Sequence, residues 1–460
     1  MRAQSRAIPL AALALTALLA AGPAQARSLR IPARDGALAA ALAQARAGDT
    51  LTLASGTHRG VWPIRVPLTL RGQPGAVLDG GGRGSVVEIA AGGTVVEDLE
   101  IRGSGRRVLT VDSGVRVLGA SEVTIRRVRA RDVLYGISVE RADRLRVEDC
   151  DLEGRVRPLD EDGEGNGIHL WYCHDATLEN NRSTHFTDGV YLSFADDTKV
   201  SDNHLLANGR YGLHTMYCQR TRLLGNVFEH NLAGIAIMFS NGLEVERNLM
   251  IHNRGPRTYG LLLRDCSGGS FRENRLVDNT VGIFMDNSNR NHVERNLLQD
   301  DGWGVILFSS CAGNQFALND FVNDDYPLAL DMRRTGNRFD DGRHGNYWSG
   351  SAPYDLDGDG VSDVPYSPVS AFAFVSKQYP DLALLGKSPA VAALAVAERV
   401  FPSLRPSEAV DSFPAVHPVA GLAGLARQGA APRPAVAALA FFVVLLVLGL
   451  VGLARGRLAS

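Results

Sequence analysis

The chain has 460 residues, with 48 lysines and arginines against 50 aspartates and glutamates and a formal net charge of −2. That balance excludes the basic footprint of a nucleic-acid-binding protein. Glycine is abundant at 49 residues, and the five cysteines, Cys150, Cys173, Cys218, Cys266 and Cys311, form no CxxC or CxxxC pair.

Met1 to Arg6 is basic, Ile8 to Ala21 is apolar, and Ala24-Gln25-Ala26 is a small-x-small tripeptide. This is the layout of a secretory signal peptide over residues 1–26, and it sends the remainder to the periplasm. Asp35 to Ala47 reads as a helix capping the N-terminal end of the protein's core.

The main signal is a repeat. Gly114, Gly136, Gly167, Gly189, Gly212, Gly234, Gly260, Gly282 and Gly304 open units of about 22 residues. Counting the glycine as zero, the fourteenth position is Asn181, Asn203, Asn226, Asn248, Asn274 and Asn296, and the nineteenth is Asn208, Asn231, Asn253 and Asn279. The first and third positions are β-branched or leucine-like, as in Ile168 and Leu170, Leu213 and Thr215 or Ile235 and Ile237, which is the period of a strand with one buried face. Strands too short to stand alone, joined at a fixed period, stack into a solenoid. Asparagine suits the turns because it tolerates the left-handed region and its amide can bond its copy in the next coil. Residues 27–350 are therefore predicted to form an all-β, right-handed parallel β-helix of about 11 coils. In the sixth position Cys173, Cys218 and Cys266 alternate with Ala195, Ser240, Ser288 and Ser310, which favours buried structural thiols over metal ligands or disulfides.

The second and fourth positions point outward and read His169/Trp171, Tyr191/Ser193, His214/Met216, Ala236/Met238, Leu262/Arg264, Phe284/Asp286 and Ile306/Phe308. An outward strip this apolar marks a binding surface, with Trp171, Tyr191, Phe284 and Phe308 as candidate partner contacts. Within it His214, Met216 and Met238, with His169 at the edge, bring together the imidazole and thioether donors that suit Cu(I). The alternative is a docking face with incidental Met and His. An acidic insertion at residues 159–166 precedes His169. Thr187-Asp188-Gly189 and Asp196-Asp197 suggest the carboxylates of β-helix polysaccharide enzymes, but no Gly-His-Gly, Arg-x-Lys or carboxylate pair completes a catalytic set.

Beyond the repeat, Asp355, Asp357, Asp359 and Asp363 fall at positions 1, 3, 5 and 9 of an EF-hand-like loop within residues 351–370, with Gly360 at position 6. Calcium is the candidate ion there, and an Asp-Gly turn held by its own side chains is the alternative. A helical tail and linker come next, over residues 371–434. Ala435 to Ala454 is uncharged and apolar, which predicts one transmembrane helix anchoring the periplasmic body to the inner membrane.

The segments YGLHTMYC from Tyr211, NVFEHNLAGIAIMFSN from Asn226, GNYWSGSAPYDLDGDGVSDVPY from Gly345 and KSPAVAALAVAERVFPSLRPSEAVDSFP from Lys387 resemble the NosD family of CASH-type β-helix proteins. The resemblance covers nearly all of the mature chain. It implies a non-enzymatic accessory protein for maturation of nitrous oxide reductase. Such a protein assists copper–sulfide cluster assembly with the membrane and ATPase subunits of an ABC transporter and a copper chaperone. The helix from Pro389 to Val400 and Phe401-Pro402 would dock on the transporter. The competing expectation is a carbohydrate-binding or polysaccharide-active β-helix.

Overall fold

Each glycine-led strand lies in register on the next. A computed structural model describes residues 26–379, 382, 385, 388–401 and 407–419. One parallel sheet of 12 strands runs from Trp62–Ile64 to Tyr326–Leu330. A 25-stranded sheet supplies the other two faces, because Val95–Arg102 and Thr124–Arg131 run through both and join them. The architecture is a right-handed parallel β-solenoid of about 14 turns.

The count of about 11 coils is thus corrected upward. The first coils, built on Ser28–Ile31, Thr50–Leu53 and Thr69–Gly72, pair strand to strand but lack the glycine and asparagine columns that define the later units. The transmembrane helix is also corrected. Among the described residues the helices are Ala37–Ala43, Ala371–Gln378 and Pro389–Val400, the longest of 12 residues. At 1.5 Å per residue, 12 residues reach about 18 Å against a hydrocarbon core of about 30 Å. No helix among the described residues is long and apolar enough to cross a membrane. Residues 435–454 lie outside the described residues, as does the expected signal peptide up to residue 25. Anchoring to the inner membrane by a C-terminal helix is accordingly withdrawn.

Alternation places Ile168, Leu170, Val190, Leu192, Leu213, Ile235 and Leu263 inside a single core running the length of the solenoid. The asparagines form ladders within it. Nδ2 of Asn181, Asn203 and Asn226 donates to Oδ1 of the next asparagine, at 2.9 Å in each case, and also to a carbonyl of a preceding coil. One expected reason for asparagine does not hold. The residue in the left-handed region is the one before it, as at Asn180 (φ 53°), Asp202 (φ 57°) and Arg247 (φ 55°). The asparagine turns inward, and the ladder bond alone requires it.

The C-terminal end of the core is closed by residues 407–419. Asp411 is buried and accepts from Asn346 N at 2.7 Å and from Trp348 Nε1 at 2.8 Å. Burial pushes its carboxyl up to about 6 despite these donors.

Candidate metal centre

A parallel ladder makes neighbours of residues one coil apart, at about 4.8 Å. Register pairs His169 with Tyr191, Tyr191 with His214, and His214 with Ala236. Two residues further on, Trp171 pairs with Ser193, Ser193 with Met216, and Met216 with Met238. Two thioethers are therefore adjacent, with His214 beside them on the same outward face.

Aromatic rings surround this point. The His214 ring lies 4.9 Å from Tyr191 and 4.9 Å from Tyr211, and the Tyr191 hydroxyl donates to Met216 Sδ at 3.4 Å. His214 is only 5% exposed. Its Nδ1 lies 3.2 Å from Oδ2 of Asp188, a fully buried carboxylate. Arg210 grips the same carboxylate from Nε at 3.0 Å and Nη2 at 2.7 Å, and Tyr211 N donates to it at 3.3 Å. Burial works to raise the Asp188 carboxyl, but the hydrogen bonds from His214 and Arg210 outweigh it and hold it below its usual range. An ionised carboxylate only accepts, so Nδ1 of His214 carries a proton, and in the neutral imidazole Nε2 is then the nitrogen with the lone pair. That Nε2 is buried and has no hydrogen-bond partner among the described residues.

His169 stands two rungs from His214, with Tyr191 between them and 4.9 Å from each. Its Nδ1 takes the amide of Asn166 at 3.1 Å, and burial pushes its imidazole down to about 4, so it is neutral at pH 7. Trp171 is 40% exposed, whereas Phe284 packs between Tyr259 at 5.0 Å and Phe308 at 5.3 Å. Outward positions Ala236, Leu262 and Ile306 are themselves buried, so the strip is an outer hydrophobic cluster roofed by its own aromatic rings. Burial raises both Tyr211 and Tyr259, and Glu161 of the acidic insertion at the strip's margin adds to this electrostatically.

Sequence reasoning missed Asp188 as a partner of histidine, and with it Arg210 and Asn166. It also missed an exposed stack at the fifth position of four consecutive units. Tyr172, Phe194, Tyr217 and Phe239 follow one another at 4.7, 4.9 and 5.1 Å, nearly parallel. All four have φ between 50° and 56°, where bulky side chains are disfavoured, so backbone preference does not explain the aromatics. The column is visible once the units are aligned. The carboxylates that suggested catalysis are each engaged: Asp196 accepts from Gln219 N at 2.9 Å and Asp197 pairs with Arg220 at 2.7 Å.

All five cysteines are free and buried, with burial pushing Cys150 and Cys218 up to about 12 and Cys266 to about 11. They are walls of the core rather than thiolate ligands. In the aspartate loop, the carboxylates of Asp355, Asp357 and Asp359 lie within 4.8 Å of one another. Asp363 instead accepts from Leu356 N at 2.7 Å, and Asp355 is taken up by Gly358 N at 2.7 Å and Gly360 N at 3.0 Å. The loop's own amides account for this arrangement, and it gives calcium no support beyond three converging carboxylates.

The solenoid carries an apolar and thioether strip, and Asp188, Asp196 and Asp197 are all committed to other partners. Residues 154–352 match the family described as "Periplasmic copper-binding protein (NosD)". "Probable ABC transporter binding protein NosD" of Pseudomonas aeruginosa is 34% identical over 381 residues, 79% of this chain and 87% of that protein. The protein of the same name from Stutzerimonas stutzeri is 30% identical over 381 residues, 79% of this chain and 85% of that one. The chain belongs to the NosD family. Among solved structures, the mannuronan C-5 epimerase AlgE6 A-module of Azotobacter vinelandii is similar at a TM-score of 0.53 and 18% identity, covering 66% of this chain and 93% of that one. The Dettilon tailspike protein is similar at 0.52 and 14%, covering 66% of each. At such identities the likeness is one of fold alone.

Proposed function

We propose that this chain binds copper as Cu(I) at His214, Met216 and Met238, as a periplasmic accessory protein for nitrous oxide reductase maturation. One observation carries the reading: a buried, unpartnered His214 Nε2 on the same face as two register-paired thioethers. Soft sulfur with imidazole favours Cu(I) over harder cations. The family description supplies copper, and the relatives' names supply an association with an ABC transporter. Its partners on this reading are the transporter's membrane and ATPase subunits, a copper chaperone, and the reductase as client. Trp171, Tyr191, Phe284 and Phe308 form the strip that meets them, and His169 lies at its edge.

An anaerobic Cu(I) titration of the full chain against a chromogenic chelator tests the binding. The Met216→Leu/Met238→Leu double variant is expected to fold and to lose at least about tenfold in affinity. Equal affinity in the double variant and the wild type would contradict the reading.

A further inference from the structure

Resting on that reading, we infer that Asp188 is the positioning residue of the site: it fixes the His214 tautomer that leaves Nε2 bare and facing the outward ladder. The −1 position of neighbouring units holds Tyr211, Ala233, Tyr259 and Val281, so a carboxylate there is an exception to the coil rather than a requirement of it. Burying it completely carries a desolvation cost, which its bonds to Arg210 and His214 offset. The carboxylate is met by Arg210 through Nε and Nη2, at 3.0 and 2.7 Å, and Oδ2 also lies 3.2 Å from His214 Nδ1. The backbone adds a further hold, since Asp188 N donates to Asn166 Oδ1 at 3.2 Å. A histidine whose Nδ1 is held in this way presents Nε2 as its one available donor atom. Second partners of this kind orient a ligating imidazole and commonly change metal affinity 10- to 100-fold, as a rough range.

Substitution by asparagine has a defined consequence. If the new amide oxygen faces Arg210 Nε and Tyr211 N, its NH2 meets His214 Nδ1 and a single arginine N–H. The opposite orientation sets NH2 against two donors, Arg210 Nε and Tyr211 N. The first is favoured, and it makes Nδ1 an acceptor and moves the ring proton to Nε2.

The test is nitrogen NMR of the full chain labelled at histidine, with His214 among 11 histidines assigned by a His214→Gln variant. The metal-free wild type is expected to show His214 protonated at Nδ1 and bare at Nε2. Asp188→Asn is expected to show the reverse tautomer with a native circular dichroism spectrum but a lower melting temperature, because Arg210 loses its carboxylate, and Cu(I) affinity lower by about 10- to 100-fold. A wild-type signal protonated at Nε2 overturns the inference without recourse to any variant, even if Asp188→Asn fails to fold. An Asp188→Asn tautomer identical to the wild type's overturns it as well. A wild type that is bare at Nε2 yet takes up no Cu(I) supports the inference and refutes the copper reading, so the two fail separately.

Discussion

Two polar arrays are buried in this molecule, and they differ in how completely they are satisfied. In the asparagine ladder inside the coils, Asn226 donates to Val200 O and Asn248 Oδ1, and accepts from Asn203 N and Nδ2, all at 2.9 Å. On the outward face, each oxygen of Asp188 accepts twice while His214 Nε2 is left over. The closed array serves rigidity, since every amide bond reinforces the stacking of coils. The open one keeps a donor atom in reserve on that rigid support. An unmatched buried atom calls for an explanation, and the one proposed here is a ligand site.

Breaking the closed array has the largest expected effect. Asn226→Ala takes the side-chain partner from the Asn203 backbone amide and from Val200 O, and removes one of several bonds from Asn203 Nδ2 and Asn248 Oδ1, and with about 1–3 kcal/mol for each of the two orphaned groups the loss is expected to be at least about 2 kcal/mol. Chemical denaturation measures it. A loss below about 1 kcal/mol, on the order of one ordinary hydrogen bond, would mean that the ladder is not what ties the coils together.

The second asparagine ladder sharpens the comparison, because it ends in acids. Asp301 continues the column and accepts from Asn279 N at 2.7 Å and Nδ2 at 3.0 Å, and Asp324 accepts from Asp301 N at 2.9 Å. The second oxygen of each is buried without a hydrogen-bond partner. Burial, and for Asp301 also the neighbouring Asp324, push both carboxyls well above the usual range. With the folded value raised, stability is full below the unfolded value of about 4 and is lost as pH rises toward the folded one. Asp301→Asn supplies an amide in place of the acid, so it is expected to raise stability by about 1–2 kcal/mol at pH 8 and by less at pH 5. Melting curves across that range check the sign, and a variant destabilised at pH 8 would refute this explanation of the column's end.

These contrasts also bear on what the sequence could disclose. The repeat is legible because glycine and asparagine recur in columns, and the register of Met216 with Met238 follows from that spacing alone. The early coils escape the count, since strands such as Thr50–Leu53 close their turns without those columns. Asparagine is the residue that sequence preference assigns to the left-handed corner, but its neighbour takes that strain and frees the amide to turn inward. Asp188 looks like half of a catalytic pair, and its actual partner, His214, lies 26 residues away and is brought near only by stacking. The Tyr172 to Phe239 stack escapes a reading of the two outward strand positions because it occupies the corner after them.

The central claim is that the open array receives a soft cation through sulfur and one imidazole. X-ray absorption at the copper edge, on the full chain loaded with one equivalent of Cu(I), tests it most directly. The account predicts sulfur scatterers together with a histidine nitrogen, with the sulfur signal lost in the Met216→Leu/Met238→Leu variant. A first shell of nitrogen and oxygen alone, unchanged in that variant, would contradict it.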